Sequence, residues 1–228
     1  MSVASTALAF PLLAIETSGS ACSVAILMRA PVTGQPPAHE IMATAHGHAT
    51  ALAPMIARVA KATDVELTAL KTIAASCGPG GFTGIRVGLA TARAMALAVG
   101  CPIIGIGTFQ VLAATAARSG GAVGTRNLVV LDSRRSDLFA VELGRDLLPL
   151  SEPELIDAEA IAERRRSGDA TLIADAELTQ LAELGGLRAI PDAIAVAELA
   201  ATRSDLRRAA DPIYLRPPDI SQPRPRKP

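Results

Sequence analysis

The stretch from Ser76 to Arg93 holds the residue types best spaced for chemistry. Gly78, Gly80, Gly81 and Gly84 fall within seven positions, with Pro79, Thr83 and Arg86 among and after them. Glycines at this density permit positive φ and close backbone approach, which suits a cradle of amide N–H groups at a helix N-terminus where an anion or a nucleotide phosphate could sit. Thr83 is the candidate cap of that helix and Arg86 the candidate phosphate partner. The loop lacks the Gly-Lys-Ser/Thr ending of a P-loop and does not fit the dinucleotide fingerprint. The same glycines also suit a strand-to-helix turn that needs them only for tight packing, and the loop alone leaves both readings open.

Other titratable groups narrow the choice. Glu16-Thr17-Ser18 and Asp132-Ser133-Arg134 each follow a short apolar run, so two acids end two strands before polar turns. The three histidines are His39, His46 and His48. No His-x-x-x-His pair exists, and His46 and His48, two apart, share a face only on a strand, so no metal site is expected. No His-Glu-x-x-His exists either, which removes the physical basis for a zinc peptidase. Cys22, Cys77 and Cys101 are far apart and odd in number, as reduced thiols of a cytoplasmic protein would be. Neither Cys22 nor Cys77 has a suitably spaced base, and a cysteine in an apolar strand is usually core.

Composition sets the frame. The chain has 228 residues, half of them apolar, which is enough for one large domain or two small ones with a proper core. Lys plus Arg balance Asp plus Glu at 22 each, and the aromatics are only four Phe and one Tyr. A neutral chain with few stacking platforms makes a poor autonomous binder of nucleic acid, so direct sequence-specific RNA binding is not expected. The apolar residues 7 to 15 lack a basic leader and run into Glu16, so no signal peptide is read there.

The elements that must position these groups follow from periodicity. Leu12 to Ile15 and Ala21 to Met28 read as a hairpin, Glu40 to Ala45 as a third strand, and Thr50 to Thr63 as an amphipathic helix with Leu52, Met55, Ile56 and Val59 on one face. Strand Thr72 to Ser76 leads into a helix from about Val87 to Gly100 that is apolar nearly all round. Such a helix must be covered on more than one side, by a sheet and then by either an intramolecular neighbour or another chain. A second round follows: strand Ile103 to Ile106, helix Thr108 to Arg118, strands Leu128 to Asp132 and Phe139 to Leu143. Later come helices at Ala158 to Arg166, Glu177 to Leu184 and Ala193 to Ala201, and strand Thr171 to Ala174. The order predicts mixed sheets flanked by helices in an α/β fold, with a duplicated plan. From Pro217 the chain is basic and proline-rich, and disorder is expected there.

Taken together, Leu13-Ala14-Ile15-Glu16-Thr17-Ser18, Ala21-Cys22-Ser23-Val24-Ala25, Gly78-Pro79-Gly80-Gly81-Phe82-Thr83-Gly84-Ile85-Arg86-Val87-Gly88, Leu131-Asp132-Ser133-Arg134-Arg135 and Pro212-Ile213-Tyr214-Leu215-Arg216 resemble the bacterial TsaB family, also called YeaZ. The order and spacing match over almost the whole chain, and the Gly-Pro-Gly-x-Phe-Thr-Gly-x-Arg block is highly specific. Two departures stand out: Glu16 replaces the family's usual Asp, and Gly81 stands where Ser is common.

The resemblance implies an ASKHA fold, the actin/Hsp70-like and ribonuclease H-like plan, with an N-terminal lobe over residues 1–106, a C-terminal lobe over 107–216 and a tail over 217–228. It implies a non-catalytic, cytoplasmic accessory subunit in making threonylcarbamoyladenosine at adenosine 37 of tRNAs that read ANN codons. The implied partners are the catalytic paralogue TsaD and the ATPase TsaE, with a homodimer as the alternative when the chain is alone and no membrane involved. The pairing helices match Thr50 to Thr63 and Val87 to Gly100, giving Leu52, Met55, Ile56, Val59, Val87, Leu89, Ala92, Met95 and Ala96 as interface residues. Glu16, Thr17, Gly80, Gly81, Thr83, Gly84 and Arg86 form the candidate nucleotide or anion loop. No cofactor is required by this chain, although ATP or ADP at the subunit boundary is implied. The alternative reading is an independent ATP-binding enzyme of the ASKHA class.

Overall fold

The computed structural model describes residues 8–31, 37–43 and 47–216. In order these form β1 (Leu12–Glu16), β2 (Ala21–Leu27), β3 (Ala38–Ala43), α1 (His48–Ala62), β4 (Thr72–Ser76), α2 (Phe82–Val99) and β5 (Ile103–Ile106). The second half adds α3 (Thr108–Arg118), β6 (Arg126–Asp132), β7 (Leu138–Gly144), β8 (Glu154–Ile156), α4 (Ala158–Ser167), β9 (Thr171–Asp175), β10 (Leu187–Ala189) and α5 (Ala193–Thr202). The expected third-strand end at Thr44 and Ala45, His46 and the tail from Pro217 lie outside the described residues.

The strands make two sheets with one plan. The first runs β3-β2-β1-β4-β5 and the second β8-β7-β6-β9-β10. In each, the first strand pairs antiparallel with the second and parallel with the fourth. The duplication suggested by the two acid-ended strands is therefore real at the level of topology. The central strands are buried on both faces, so β1 (LLAIE) reads as a continuous apolar run instead of an alternation.

Alternate residues of each strand face opposite sides, and this builds five layers. Leu13, Ile15, Val24, Ile26 and Ile73 face α1 and α2 in one cluster. Leu12, Ala14, Ala74, Ile104 and Ile106 face the middle of the molecule, where α3 and α5 lie beneath Val129, Leu131, Phe139 and Ile173 of the second sheet. Leu128, Val130, Leu172 and Ala174 meet Ile161 of α4 on the far side. The two middle helices are exchanged: α3 packs on β6, β9 and β10, whereas α5, late in the chain, packs on β1, β2, β4 and β5. The strands of the first sheet lie within residues 12–106 and those of the second within 126–189, while the helix that covers the inner face of the first sheet comes from 193–202.

Several elements differ from the expected ones. α2 begins at Phe82, well before Val87, because Gly81 supplies the extended N-cap and residues 82–86 already bond as helix. Thr83 lies inside the first turn and makes no cap, which corrects that assignment. The expected helix at Glu177 to Leu184 is a 3-10 turn over Thr179–Leu184, and the three-residue strands β8 and β10 carry too few positions for a period to be read.

Candidate functional site

The polar turn after β1 and the glycine loop after β4 meet at one end of the first sheet. Glu16 is fully buried, and its Oε1 accepts hydrogen bonds from the Ser18 amide and hydroxyl. Burial pushes its carboxyl above the usual Glu range, against the pull of the Ser18 and Ser76 hydroxyls and the Ser18 amide. Thr108, the first residue of α3, donates to Ser18 Oγ at 2.9 Å, and Ser23 Oγ accepts from the Ala193 amide of α5 at 2.8 Å. Glu16 therefore sits on the inner face of the first sheet, in a hydroxyl network that ties the turn after β1 to α3, while Ser23 of β2 is tied to α5.

The glycines bring α2 against this turn. The Gly81 amide donates to Ser18 O at 2.8 Å, and Thr17 Oγ1 donates to Gly84 O at 2.8 Å. A Cβ at Gly80 would lie 2.4 Å from Ser18 O, and one at Gly84 would lie 2.0 Å from Thr17 O. Close packing of helix on turn accounts for the glycines at these two positions. The Gly81 amide, a natural cradle donor, is already used inside the protein.

Two cavities flank Phe82. One, of about 530 Å³, gathers Thr17, Gly81, Thr83 and Gly84 of the sequence-predicted loop with Gly19, Gly47, His48, Ala49 and Arg134. The other, of about 360 Å³, is lined by Pro79, Gly80, Phe82, Ser133, Arg134, Arg135, Phe139, Ile213, Tyr214, Leu215 and Arg216. Glu16 and Arg86 line neither. The Arg86 guanidinium lies 3.9 Å from the centre of the Phe82 ring and donates to Tyr214 Oη at 3.0 Å, so a cation–π stack and a phenol occupy the group read as a phosphate partner. Among the described residues no three His, Cys, Asp or Glu side chains group as a metal site would require.

Most of the expected interface residues face the chain's own sheet. Leu52, Met55, Ile56 and Val59 of α1, and Leu89, Ala92 and Ala96 of α2, are buried in the chain's own core; Val87 and Met95 are half-buried. Their period is the signature of the sheet-facing side, which a helix needs whether or not it has a partner. The surface that α2 offers instead holds Ala90, Arg93, Ala94, Leu97 and Ala98, with Leu97 85% exposed and Arg93 paired with Asp211. This stripe was hidden in the sequence because the helix is apolar on both sides. By length and composition α2 is also long and apolar enough to cross a membrane, and a third of it is packed inside the fold.

Sequence reasoning also passed over the second cavity's aromatic lining. Phe82, Phe139 and Tyr214 are three of the chain's five aromatic residues, and they converge from three separate segments. Their scarcity in the composition was the available signal.

Comparison with known proteins agrees with this architecture. The chain is 34% identical over 135 residues to the tRNA threonylcarbamoyladenosine biosynthesis protein TsaB of Escherichia coli (strain K12), covering 59% of this chain and 55% of that protein. It is 31% identical over 136 residues to TsaB of Haemophilus influenzae, covering 59% and 54%. The chain thus spans about half the length of the curated relatives it matches. Among solved structures, a Pseudomonas aeruginosa protein described as similar to peptidase YeaZ superposes with a TM-score of 0.73 at 24% identity, over 90% of this chain and 99% of that one. YeaZ from Pseudomonas aeruginosa gives 0.70 over the same shares, also at 24% identity. The family model described as TsaD, tRNA N6-adenosine threonylcarbamoyltransferase, matches residues 42–188, well over half of the chain. The protein belongs to that family, is similar within it to the TsaB (YeaZ) proteins, and has two matching sheets consistent with an ASKHA-like fold.

Proposed function

We propose that this chain is a cytoplasmic, non-catalytic accessory subunit for the transfer of a threonylcarbamoyl group to N6 of adenosine 37 in tRNAs reading ANN codons. It acts by pairing with the catalytic paralogue TsaD and helping to recruit the ATPase TsaE. The observation that carries the reading is the α2 stripe. Ala90, Ala94, Leu97 and Ala98 leave an apolar patch of α2 exposed beside Arg93, and small residues around one leucine suit a second helix at close range. Family membership supplies the chemistry of the partner.

The accessory role is supported by the state of the loop. Glu16 is sealed from solvent and lines neither cavity, and Gly80 and Gly84 pack against Ser18 and Thr17, so the acid that would position a nucleotide's metal in an independent enzyme is committed to structure. ATP or ADP, where the reaction uses it, belongs in this reading to the boundary with the partner.

The test is threonylcarbamoylation of tRNA in a mixture of the donor synthase, TsaD, TsaE, ATP, threonine and bicarbonate, with this chain present, omitted or supplied alone. Product that disappears on omission, with none from the chain alone, is the expected result. Product formed equally well without it overturns the proposal.

A further inference from the structure

After α5 the chain turns back to the first sheet, and residues 208–216 run as an irregular strap along its edge. β5 is the outer strand of that sheet, and Gly105 is joined to Arg208 by two backbone hydrogen bonds of 2.9 and 3.1 Å. The Ile213 amide donates to Cys77 O at 2.8 Å, just past the end of β4. α2 grips the same segment: Arg93 donates to Ala210 O and to Asp211 Oδ1, both at 2.6 Å, and Arg86 donates to Tyr214 Oη at 3.0 Å. The far end crosses to the second lobe, where Arg216 pairs with Asp137 in the β6–β7 turn. Ser133 Oγ donates to the other Asp137 carboxylate oxygen at 2.6 Å and fixes the acid in place.

These ties are polar, and little apolar surface backs them. Within the strap only Ala210 is buried; Arg208, Ala209, Asp211 and Tyr214 are exposed, and Pro212, Ile213, Leu215 and Arg216 are half-buried. β1 and β4, by contrast, are buried along their whole length. A segment with so few buried apolar contacts opens at a lower free energy than the sheet it lies on. Its docking is nonetheless close, since a Cβ at Gly105 would lie 2.7 Å from Ala209 O. The Cys77 side chain is fully buried there, with its sulfur 3.8 Å from Ala209 O.

We propose that the strap has a docked and a released state, and that the Arg216–Asp137 and Arg93–Asp211 pairs are the latches that hold it docked. Release uncovers the outer edge of β5 and the Cys77 thiol while both sheets stay folded. It also leaves Arg93 without its acid beside Ala90, Ala94 and Leu97, so the docked strap neutralises a positive charge on the exposed face of α2. The consequence for pairing rests on the α2 reading above. The strap itself does not, since its two states belong to the chain alone.

The experiment is N-ethylmaleimide labelling of the full chain at pH 8 with no partner present, each thiol being followed by peptide mass spectrometry. Burial pushes the Cys77 pKa up to about 12, so the docked state is unreactive and the labelling rate reports the released one. Cys22, fully buried in β2, is the internal control for wider unfolding. Arg93→Gln and Asp137→Asn are the variants, one at each latch, and neither residue lies on the strap. Combined, they should raise the Cys77 rate at least about fivefold, as the loss of two partly exposed ion pairs would, with the Cys22 rate unchanged. A Cys77 rate that stays the same, or that rises only in step with Cys22, overturns the proposal. Hydrogen exchange of the parent gives a check that needs no variant: the Gly105 and Ile213 amides should exchange at least about tenfold faster than those of β1, and equal protection overturns the proposal as well. Pairing with TsaD is measured separately with Leu97→Asp, so failure of the partner reading cannot be mistaken for failure of the strap.

Discussion

Thr17 and Gly84 hold each other in a two-way contact: the Thr17 hydroxyl donates to the Gly84 carbonyl at 2.8 Å, while the Gly84 Cα faces the Thr17 carbonyl with no room for a side chain. One end of α2 is thereby clamped on the turn between β1 and β2. The clamp explains why a glycine lies inside the first turns of a helix, where it costs up to about 1 kcal/mol relative to alanine. It also means that the glycine block, the most specific part of the sequence, is written largely in close packing.

Gly84→Ala tests the clamp directly. Its Cβ would lie 2.0 Å from a backbone oxygen, so α2 or the turn must move. A loss of more than about 2 kcal/mol is expected, seen as a lower denaturant midpoint, although alanine is the better helix former. Gly88→Ala, whose Cβ would meet the Thr17 hydroxyl at 2.2 Å, should cost less, since a side chain can turn away and backbone cannot. A neutral or stabilising Gly84→Ala would contradict the contact.

Leu97→Asp separates surface from core on the same helix. Leu97 is 85% exposed, so the variant should melt within about 2 °C of the parent while association with TsaD weakens by at least about tenfold. Leu89→Asp, at 2% exposure, should instead fail to fold stably, because a carboxylate would be left in the apolar layer against β4 and β1. Unchanged pairing by Leu97→Asp, measured by co-purification and calorimetry, would remove α2 from the interface.

The Glu16 carboxyl should leave a mark on the pH dependence of stability. Its folded pKa is raised above the ordinary glutamate value by burial, so the folded state holds the proton where the unfolded state releases it. The contribution is fully present below the unfolded pKa and is lost as pH rises through the folded one. Asp175, raised by burial and at the equivalent sheet end of the second lobe, acts in the same direction. Denaturation of Glu16→Gln across pH 4 to 8 should show a smaller fall in stability toward neutral pH than the parent. Parallel curves would place the titration elsewhere.

The thiols should be inert in the native state. Cys22 and Cys77 are fully buried, and desolvation pushes their pKa values up to about 11 and about 12. Cys101 is half-buried and is the thiol that should react first with a disulfide reagent at pH 8. One reactive thiol at most is expected before unfolding and three after it. Rapid labelling of Cys77 would reopen a nucleophilic role that its burial removes.

Much of this protein was legible from residue order alone. β4, β5 and α3 were bounded to the residue because each is a clean period between strong breaks, and the paired acid-ended strands announced a repeated plan that the two sheets confirm. The family block was legible for the same reason, as local spacing. What required the tertiary structure was direction. An apolar helix such as α2 does not say which side its own sheet will cover, and the sheet took Leu89, Ala92 and Ala96, leaving Leu97 to solvent. Nor does a glycine say whether its missing side chain makes room for a ligand or for Thr17. The exchange of α3 and α5 between sheets, and the meeting of Phe82, Phe139 and Tyr214 at one cavity, join residues dozens of positions apart. Local periodicity records which side of an element is apolar, and only the packing of elements against one another decides what that side touches.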